Sequence, residues 1–188
     1  MPTLVLASAS PRRRELLAQA GYEFTVHPAH IPEDTLPGED PIAYVARLAR
    51  QKAEAVFSEL SSNRPNLIVL GADTTVTLDD HILGKPEDPE DAARMLRLLS
   101  GRTHRVITGV SVVTATRTQT AVEVTAVQFL TLSEEEIAGY IATGEPNDKA
   151  GAYAIQGIAS RWIPRIEGDY SNVVGLPLAL VSTLLNSL

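Results

Sequence analysis

The chain has 188 residues, a formal net charge of −7 and no cysteine. The lack of cysteine excludes disulfides, a thiolate nucleophile and cysteine-ligated zinc. The negative charge argues against broad binding to nucleic acid, so a site for anions would have to be local.

Hydrophobic periodicity and capping residues predict alternating strands and helices in the N-terminal third of the chain. Ser10-Pro11 and Asp40-Pro41 each combine an N-cap side chain with a proline at the first helical position. In chain order, the predicted elements are a strand from Leu4 to Ala7, a helix from Pro11 to about Ala20, a strand from Tyr22 to His27, a loop from Pro28 to Asp40 and a helix from Pro41 to about Leu60.

The rest of the chain adds β-rich segments and capped helices. Gly71-Ala72-Asp73 predicts the end of a buried strand, and Asp79-Asp80 predicts a hairpin turn. The predicted elements are strands at Leu67 to Leu70, Thr74 to Leu78, His81 to Leu83, Val106 to Thr116 and Ala121 to Leu130, and helices at Pro89 to about Leu99, Glu134 to about Ala142 and about Leu176 to Leu185. Together they predict an α/β fold with a mixed sheet flanked by helices.

Three arginines, Arg12, Arg13 and Arg14, fall in the first turn of the first predicted helix. The helix dipole disfavours cations there by about 0.3–1 kcal/mol each, so their placement needs a reason. A bound polyanion supplies one, because free backbone N–H groups, guanidinium groups and the hydroxyls of Ser8 and Ser10 would cradle phosphate oxygens. The alternative is that the arginines are solvated surface residues.

Asp73 is predicted at the carboxyl end of an apolar strand, where open α/β sheets place their ligand crevices. Its carboxylate could hold a divalent ion or accept a proton from water, or it could simply accept backbone N–H bonds in an Asx-turn. Thr74 beside it could orient ligand oxygens or favour the strand. For both residues, the sequence leaves the ligand-binding and the local structural alternatives open.

Two lysines and one acidic residue are further candidates for a phosphate site. Lys52 lies on the apolar face of the long helix, where it must find an anion or extend its ammonium to solvent. Lys85 follows a predicted strand in Gly84-Lys85-Pro86, and its ammonium could meet a ligand or solvent. Glu33 and the adjacent Asp34 offer the oxygen ligands that Mg²⁺ prefers.

Several well-known motifs are absent from the sequence. Gly84-Lys85 is followed by proline, so no P-loop is formed, and neither a Gly-x-Gly-x-x-Gly fingerprint nor a Gly-x-Ser-x-Gly elbow occurs. His27 and His30 have no third metal ligand close by in the sequence, so we interpret them as ordinary polar residues.

Seven short motifs, spaced over nearly the whole chain, resemble those of the Maf family of nucleotide pyrophosphatases. They are Ser8-Ala-Ser-Pro-Arg-Arg13, Gly71-Ala-Asp-Thr74, Gly84-Lys-Pro86, Leu99-Ser-Gly-Arg-Thr-His104, Asp148-Lys-Ala-Gly-Ala-Tyr153, Ile155-Gln-Gly157 and Asn172-Val-Val-Gly-Leu-Pro177. The resemblance implies one domain over residues 1–188, with an inosine-triphosphatase-like α/β fold of two lobes around a central cleft. It also implies metal-dependent hydrolysis of nucleoside triphosphates to monophosphates and pyrophosphate.

Within the family, the segment Asp148 to Gly157 is similar to the branch that acts on dTTP and UTP. The resemblance implies functional roles for eight side chains, with Mg²⁺ or Mn²⁺ as the expected cofactor. Asp73 is the expected proton acceptor; Arg12, Thr74 and Gln156 discriminate between substrates; Arg13, Lys52 and Lys85 contact phosphate; and Glu33 lies with Asp73 near the metal. The Gln156 amide can donate and accept at once, which suits the O4 and N3–H of uracil or thymine.

Three functional hypotheses follow from these residues. The first is a dTTP/UTP pyrophosphatase, the second a nucleotide-binding regulator of septum formation or cell division with little catalysis, and the third a house-cleaning hydrolase for modified nucleotides or 7-methyl-GTP. The resemblance implies a homodimer. The N-terminal apolar run stops at Ser8 and no stretch approaches the ~20 apolar residues of a membrane helix, so we expect a cytoplasmic protein without a signal peptide, bound neither to membrane nor to nucleic acid.

Overall fold

The structure is a computed structural model that describes residues 3–79 and 81–188. Its strands, numbered in chain order, are β1 Thr3–Leu6, β2 Thr25–Val26, β3 Leu67–Leu78, β4 His81–Leu83, β5 Thr103–Val113, β6 Thr118–Gln128 and β7 Arg165–Glu167. Its α-helices are α1 Pro11–Gln19, α2 Pro41–Leu60, α3 Pro89–Leu99, α4 Glu134–Ala142, α5 Tyr170–Val174 and α6 Leu178–Asn186. Short 3-10 turns occur at Ser61–Asn63, Glu145–Asp148, Ala150–Ala152 and Ile158–Trp162.

The strands of this described part form a mixed sheet in the order β2-β1-β3-β5-β6-β7, with β4 paired to β3. β1 is parallel to both β2 and β3, whereas β4 is antiparallel to β3 and β7 is antiparallel to β6. This arrangement confirms the predicted α/β class with a mixed sheet. None of the helices in the described ranges is long and apolar enough to cross a membrane.

The chain divides into two compact units. The first unit contains the chain up to Thr74, together with Thr108–Glu123 and Gly175–Leu188. The second unit contains Thr75–Ile107 and Val124–Val174. That the whole chain is a single domain remains a prediction.

Local capping determines where the helices begin. The Ser10 side chain accepts a hydrogen bond from Arg13 N at the start of α1, and Asp40 accepts two such bonds at the start of α2. Asp88 caps α3, and Ser133 forms a reciprocal capping box with Glu136 at the start of α4. These four helix starts agree with the sequence prediction, because a cap needs only residues within one helical turn.

The predicted break at Gly71-Ala72-Asp73 is wrong, because β3 continues without interruption from Leu67 to Leu78. Gly71 lies within this strand, close to α2. A Cβ at this position would lie 2.3 Å from the carbonyl oxygen of Ala49 on α2, which is too close for any side chain. The glycine lets the helix approach the strand closely, as glycines inside strands often do. Asp73 therefore lies within a strand and not at its end. Asp80, the second residue of the predicted hairpin turn, lies outside the described residues.

Other boundaries differ by a few residues. β2 is reduced to two residues, and the two long strands begin and end earlier than predicted. The reason lies in their connection, where Thr114 accepts a hydrogen bond from Arg117 N through its Oγ1 and donates its own N–H to Arg117 O. A threonine that bonds to nearby backbone favours a turn over a strand. The last helix starts at Leu178, after Pro177, and not at Leu176.

Each unit has its own buried cluster. In the first unit, apolar side chains of β1 and the residue after it, α2, β3 and the end of β5 pack together; the buried members are Val5, Ala7, Ala53, Val56, Leu67, Val69 and Val113. In the second unit, the rings of His104, Phe129 and Tyr153 meet edge to face, with centroids 4.8–5.3 Å apart. His104 Nε2 lies 2.7 Å from Tyr153 Oη, so two of the sequence motifs meet in a core contact.

Because His104 is buried, we expect the stability of the protein to depend on pH. Burial lowers the pKa of His104 to about 3, from a usual value near 6.5. The unfolded chain therefore binds the extra proton first, so the stability due to neutral His104 is full above pH ~6.5 and decreases as the pH falls toward ~3. We expect His104→Phe to reduce the slope of unfolding free energy against pH by up to about 1.4 kcal/mol per pH unit between pH 6 and 4.

Urea unfolding at a series of pH values measures this slope. His30→Gln, which removes an exposed histidine, should keep the slope of the parent protein. Equal slopes for the parent and His104→Phe would contradict the explanation.

Candidate functional site

Helix α1, which belongs to the first unit, carries three arginines in its first turn. Ser8 Oγ accepts a hydrogen bond from Ser10 N at 3.2 Å, which shapes the turn between β1 and α1. Arg12 and Arg13 are partly buried, whereas Arg14 is exposed. The three arginines thus occupy the predicted positions, but their surroundings differ.

Arg13 connects three separate segments of the first unit. Its Nε donates to Gly175 O at 2.8 Å, its Nη1 to Ala72 O at 2.9 Å and its Nη2 to Thr74 Oγ1 at 2.9 Å. Nη1 also donates to Ser8 Oγ at 3.4 Å, so four of the five guanidinium N–H groups are used inside the protein. Burial lowers the pKa of Arg13, while the negative charge of Asp73 opposes this shift.

Lys52 holds two carboxylates together. Its Nζ lies 2.7 Å from Asp73 Oδ1 and 2.7 Å from Glu33 Oε1. The lysine is only 8% exposed, so its charge is compensated by these anions and not by solvent. Of the two alternatives for Lys52, the structure shows the one in which the ammonium finds an anion.

Asp73 is buried, with 7% of its surface exposed. Desolvation by burial raises the pKa of this carboxyl group, although the positive charges of Lys52 and Arg13 act in the opposite direction. A carboxylate with a raised pKa is a better proton acceptor than an exposed one. Because the side chain is paired with Lys52 within a strand, its structure is not that of the alternative Asx-turn.

Thr74 follows Asp73 on β3 and belongs to the hydrogen-bond network of Arg13. Its Oγ1 lies 2.8 Å from Thr108 Oγ1 and donates to Gly175 O at 3.3 Å. The sequence did not indicate Gly175 or Thr108 as members of this network. Gly175 has φ +135, a conformation that favours glycine. The signal in the sequence that could have indicated Gly175 is its position within the motif Asn172 to Pro177.

Helix α2 fixes the loop that carries Glu33. Tyr44 Oη donates to Glu33 O at 2.9 Å, and Arg47 Nη2 donates to Asp34 O at 3.0 Å. Arg47 also binds Glu39 through two hydrogen bonds of 2.6 and 2.7 Å, which lowers the pKa of Glu39 to about 2. The loop is therefore held at several points, and the Glu33 side chain, which is 53% exposed, is nevertheless paired with Lys52.

Lys85 and Gln156 belong to the second unit. Lys85 is exposed in the turn after β4, and Gln156 is exposed in the turn before the 3-10 helix Ile158–Trp162. Their roles in binding remain predictions. The residues that the structure brings together in the first unit are Ser8, Arg13, Glu33, Lys52, Asp73 and Thr74.

The donor set suits a hard divalent cation. Glu33 and Asp73 converge on one ammonium at 2.7 Å each, which shows that two carboxylate oxygens can approach a common positive charge. No cluster of three or more His, Asp or Glu side chains that could hold a metal occurs within residues 3–79 and 81–188. Two carboxylates are nevertheless sufficient for Mg²⁺, which takes its other ligands from water and phosphate.

A family model described as Maf-like protein matches residues 3–188. The chain belongs to the Maf family. A dTTP/UTP pyrophosphatase of Koribacter versatilis (strain Ellin345) is 57% identical, over 95% of this chain and 90% of that protein. A dTTP/UTP pyrophosphatase of Moorella thermoacetica (strain ATCC 39073 / JCM 9320) is 54% identical, over 98% and 94% of the two chains.

Two solved structures share the fold of this Maf family member. One is a nucleoside-triphosphatase / dITP/XTP pyrophosphatase from Mycobacterium abscessus, with TM-score 0.51, 12% identity and coverage of 98% of this chain and 94% of that chain. The other is the Ham1 protein of Staphylococcus aureus, with TM-score 0.52, 11% identity and 98% coverage of both chains. The predicted membership of the family and the inosine-triphosphatase-like α/β class are confirmed.

The Arg13 network predicts that lysine cannot replace this arginine. Arg13→Lys removes the planar group that bonds Gly175, Ala72 and Thr74 together, and we expect a loss of about 2–4 kcal/mol of unfolding free energy. Urea denaturation measures the change. Arg14→Lys, in the same helical turn but exposed, is the matched control and should stay within about 0.5 kcal/mol of the parent. Similar stabilities for both variants would show that the network contributes little.

Proposed function

We propose that the chain is a nucleoside triphosphate pyrophosphatase that hydrolyses dTTP and UTP to the monophosphate and pyrophosphate. The observation that carries this proposal is the buried Asp73 carboxylate, which is paired with Lys52, the lysine that also binds Glu33, in the unit that contains the arginine-rich start of α1. The names of relatives at 57% and 54% identity support the same substrates. The same proposal assigns Arg12, Thr74 and Gln156 to substrate discrimination and Lys85 to a phosphate contact.

In the proposed reaction, a water molecule attacks the α-phosphorus. The new bond joins the water oxygen to phosphorus, the bond to the α–β bridging oxygen breaks, and pyrophosphate leaves with the electron pair. Asp73 accepts the proton from the water, which its raised pKa favours. Ser8, Arg12 and Arg13 at the start of α1 bind phosphate oxygens, and Lys52 compensates negative charge.

A divalent cation, Mg²⁺ or Mn²⁺, is part of the proposal. Glu33 and Asp73 would hold it, and it would supply charge neutralisation and Lewis acidity at the phosphates. The cytoplasmic location and the homodimer also remain proposals, the second from the family resemblance alone.

A pyrophosphate-release assay across nucleoside triphosphates tests the function. We expect turnover of dTTP and UTP that exceeds that of ATP, GTP and CTP, and that is lost with chelator and restored by Mg²⁺ or Mn²⁺. The same assay with 7-methyl-GTP, 5-methyl-UTP and pseudouridine triphosphate distinguishes the house-cleaning hypothesis from the dTTP/UTP pyrophosphatase hypothesis. Calorimetric binding of dTTP without pyrophosphate release would favour the regulator and overturn the proposal.

Asp73→Asn tests the role of the carboxylate. The amide keeps the size of the side chain but cannot accept the proton, so we expect kcat to fall by about 10²–10⁴ while circular dichroism remains that of the folded protein. Asp34→Asn, in the loop of Glu33, is the control and should retain turnover. A normal rate of pyrophosphate release from Asp73→Asn would exclude Asp73 as the base.

A further inference from the structure

Gln156 lies on a short turn whose two ends are attached to the same pair of side chains. At one end, Ala154 N donates to Tyr140 Oη at 3.2 Å. At the other end, Ile158 N donates to Glu145, at 3.1 Å to Oε1 and 3.3 Å to Oε2. Tyr140 Oη in turn donates to Glu145 Oε1 at 2.7 Å, which joins the two attachments. The exposed Gln156 side chain thus projects from a turn that is fixed on both sides.

The pair of Tyr140 and Glu145 is itself held by further contacts. Tyr140 is 2% exposed, and its ring meets Trp162 edge to face at a centroid distance of 5.1 Å. Burial and the hydrogen bond to Glu145 raise the pKa of Tyr140, so its hydroxyl keeps the proton that it donates. Glu145 is partly buried, and its backbone N–H is bound by Thr143 Oγ1 at 3.2 Å.

Gly157, the residue after Gln156, lies directly against the Glu145 carboxylate. A Cβ at this position would lie 2.1 Å from Glu145 Oε1 and 2.4 Å from its Cδ. The absence of a side chain at Gly157 therefore allows the carboxylate to reach the N–H group of Ile158 beyond it. This contact explains why glycine follows Gln156 in the motif Ile155-Gln-Gly157.

The position of Gln156 matters because a bidentate contact needs both amide atoms at hydrogen-bond distance at once. An amide that accepts from N3–H and donates to O4 of uracil must place two atoms within about 2.7–3.2 Å of their partners. A displacement of about 1 Å would break one of the two bonds, and misplacements of that size can cost orders of magnitude in rate.

We propose that Tyr140 and Glu145 are positioning residues that fix the Gln156 turn and thereby set the preference of the enzyme for uracil and thymine over cytosine. This inference rests on the proposed function, in which Gln156 binds the base. Neither side chain needs to touch the nucleotide, because each acts through the backbone of residues 154 and 158.

The test is the ratio of kcat/KM for UTP to kcat/KM for CTP, measured with the full chain. Gln156→Ala defines how much of the ratio depends on the amide. Glu145→Ala should lower the ratio about tenfold, and Tyr140→Phe, which keeps the ring against Trp162, about threefold. Glu145→Gln retains one acceptor and should recover part of the ratio. Glu135→Gln, exposed on α4, should leave the ratio unchanged.

The ratio separates positioning from simple destabilisation, because a smaller folded fraction lowers the rates with UTP and CTP equally. If Gln156→Ala lowers the ratio but Glu145→Ala and Tyr140→Phe do not, the inference is overturned while the proposed function stands. An unchanged ratio in Gln156→Ala also overturns the inference. If the unmodified protein releases no pyrophosphate from UTP, the proposed function itself is wrong.

Discussion

A buried ammonium group between two carboxylates organises the first unit of this protein. Lys52 reaches from α2 to Asp73 on β3 and to Glu33 on the loop before α2. Removing the charges of Lys52 and Asp73 from water is costly, and the arrangement persists only because each has a close partner of opposite sign. The close contact of α2 with β3 at Gly71 makes this possible, since a side chain there would collide with Ala49. The candidate site therefore depends on one tightly packed helix–strand pair.

The arginines of α1 illustrate how one local pattern can have two physical explanations. Cations at a helix N-terminus are disfavoured by the dipole and need compensation. For Arg13, the compensation is internal, because its guanidinium bonds Gly175 O, Ala72 O and Thr74 and lies in the field of Asp73. For Arg12, a phosphate contact remains the proposal. Through these bonds Arg13 also fixes the part of β3 that carries Asp73 and Thr74, while its own phosphate contact remains a prediction.

The second unit uses polar contacts inside its core in a similar way. His104 and Tyr153 meet through a hydrogen bond within an aromatic cluster, and Tyr140 links Ala154 to Glu145. Both sets of contacts flank the turn that carries Gln156. In the second unit, the turn of Gln156 is thus supported by the buried side chain of Tyr140, for which the sequence indicated no function. Such supporting contacts are what hold functional groups within the narrow tolerances of catalysis.

The sequence by itself determined the starts of α1, α2, α3 and α4, because each cap involves residues within one turn. Its motifs also identified the family and the candidate site residues. Only the tertiary structure decided that β3 passes through Gly71, that Lys52 joins Asp73 to Glu33 and that Arg13 bonds Gly175, 162 residues away. These contacts join segments that are distant along the chain. Their proximity depends on strand order and helix packing, which local propensity does not encode.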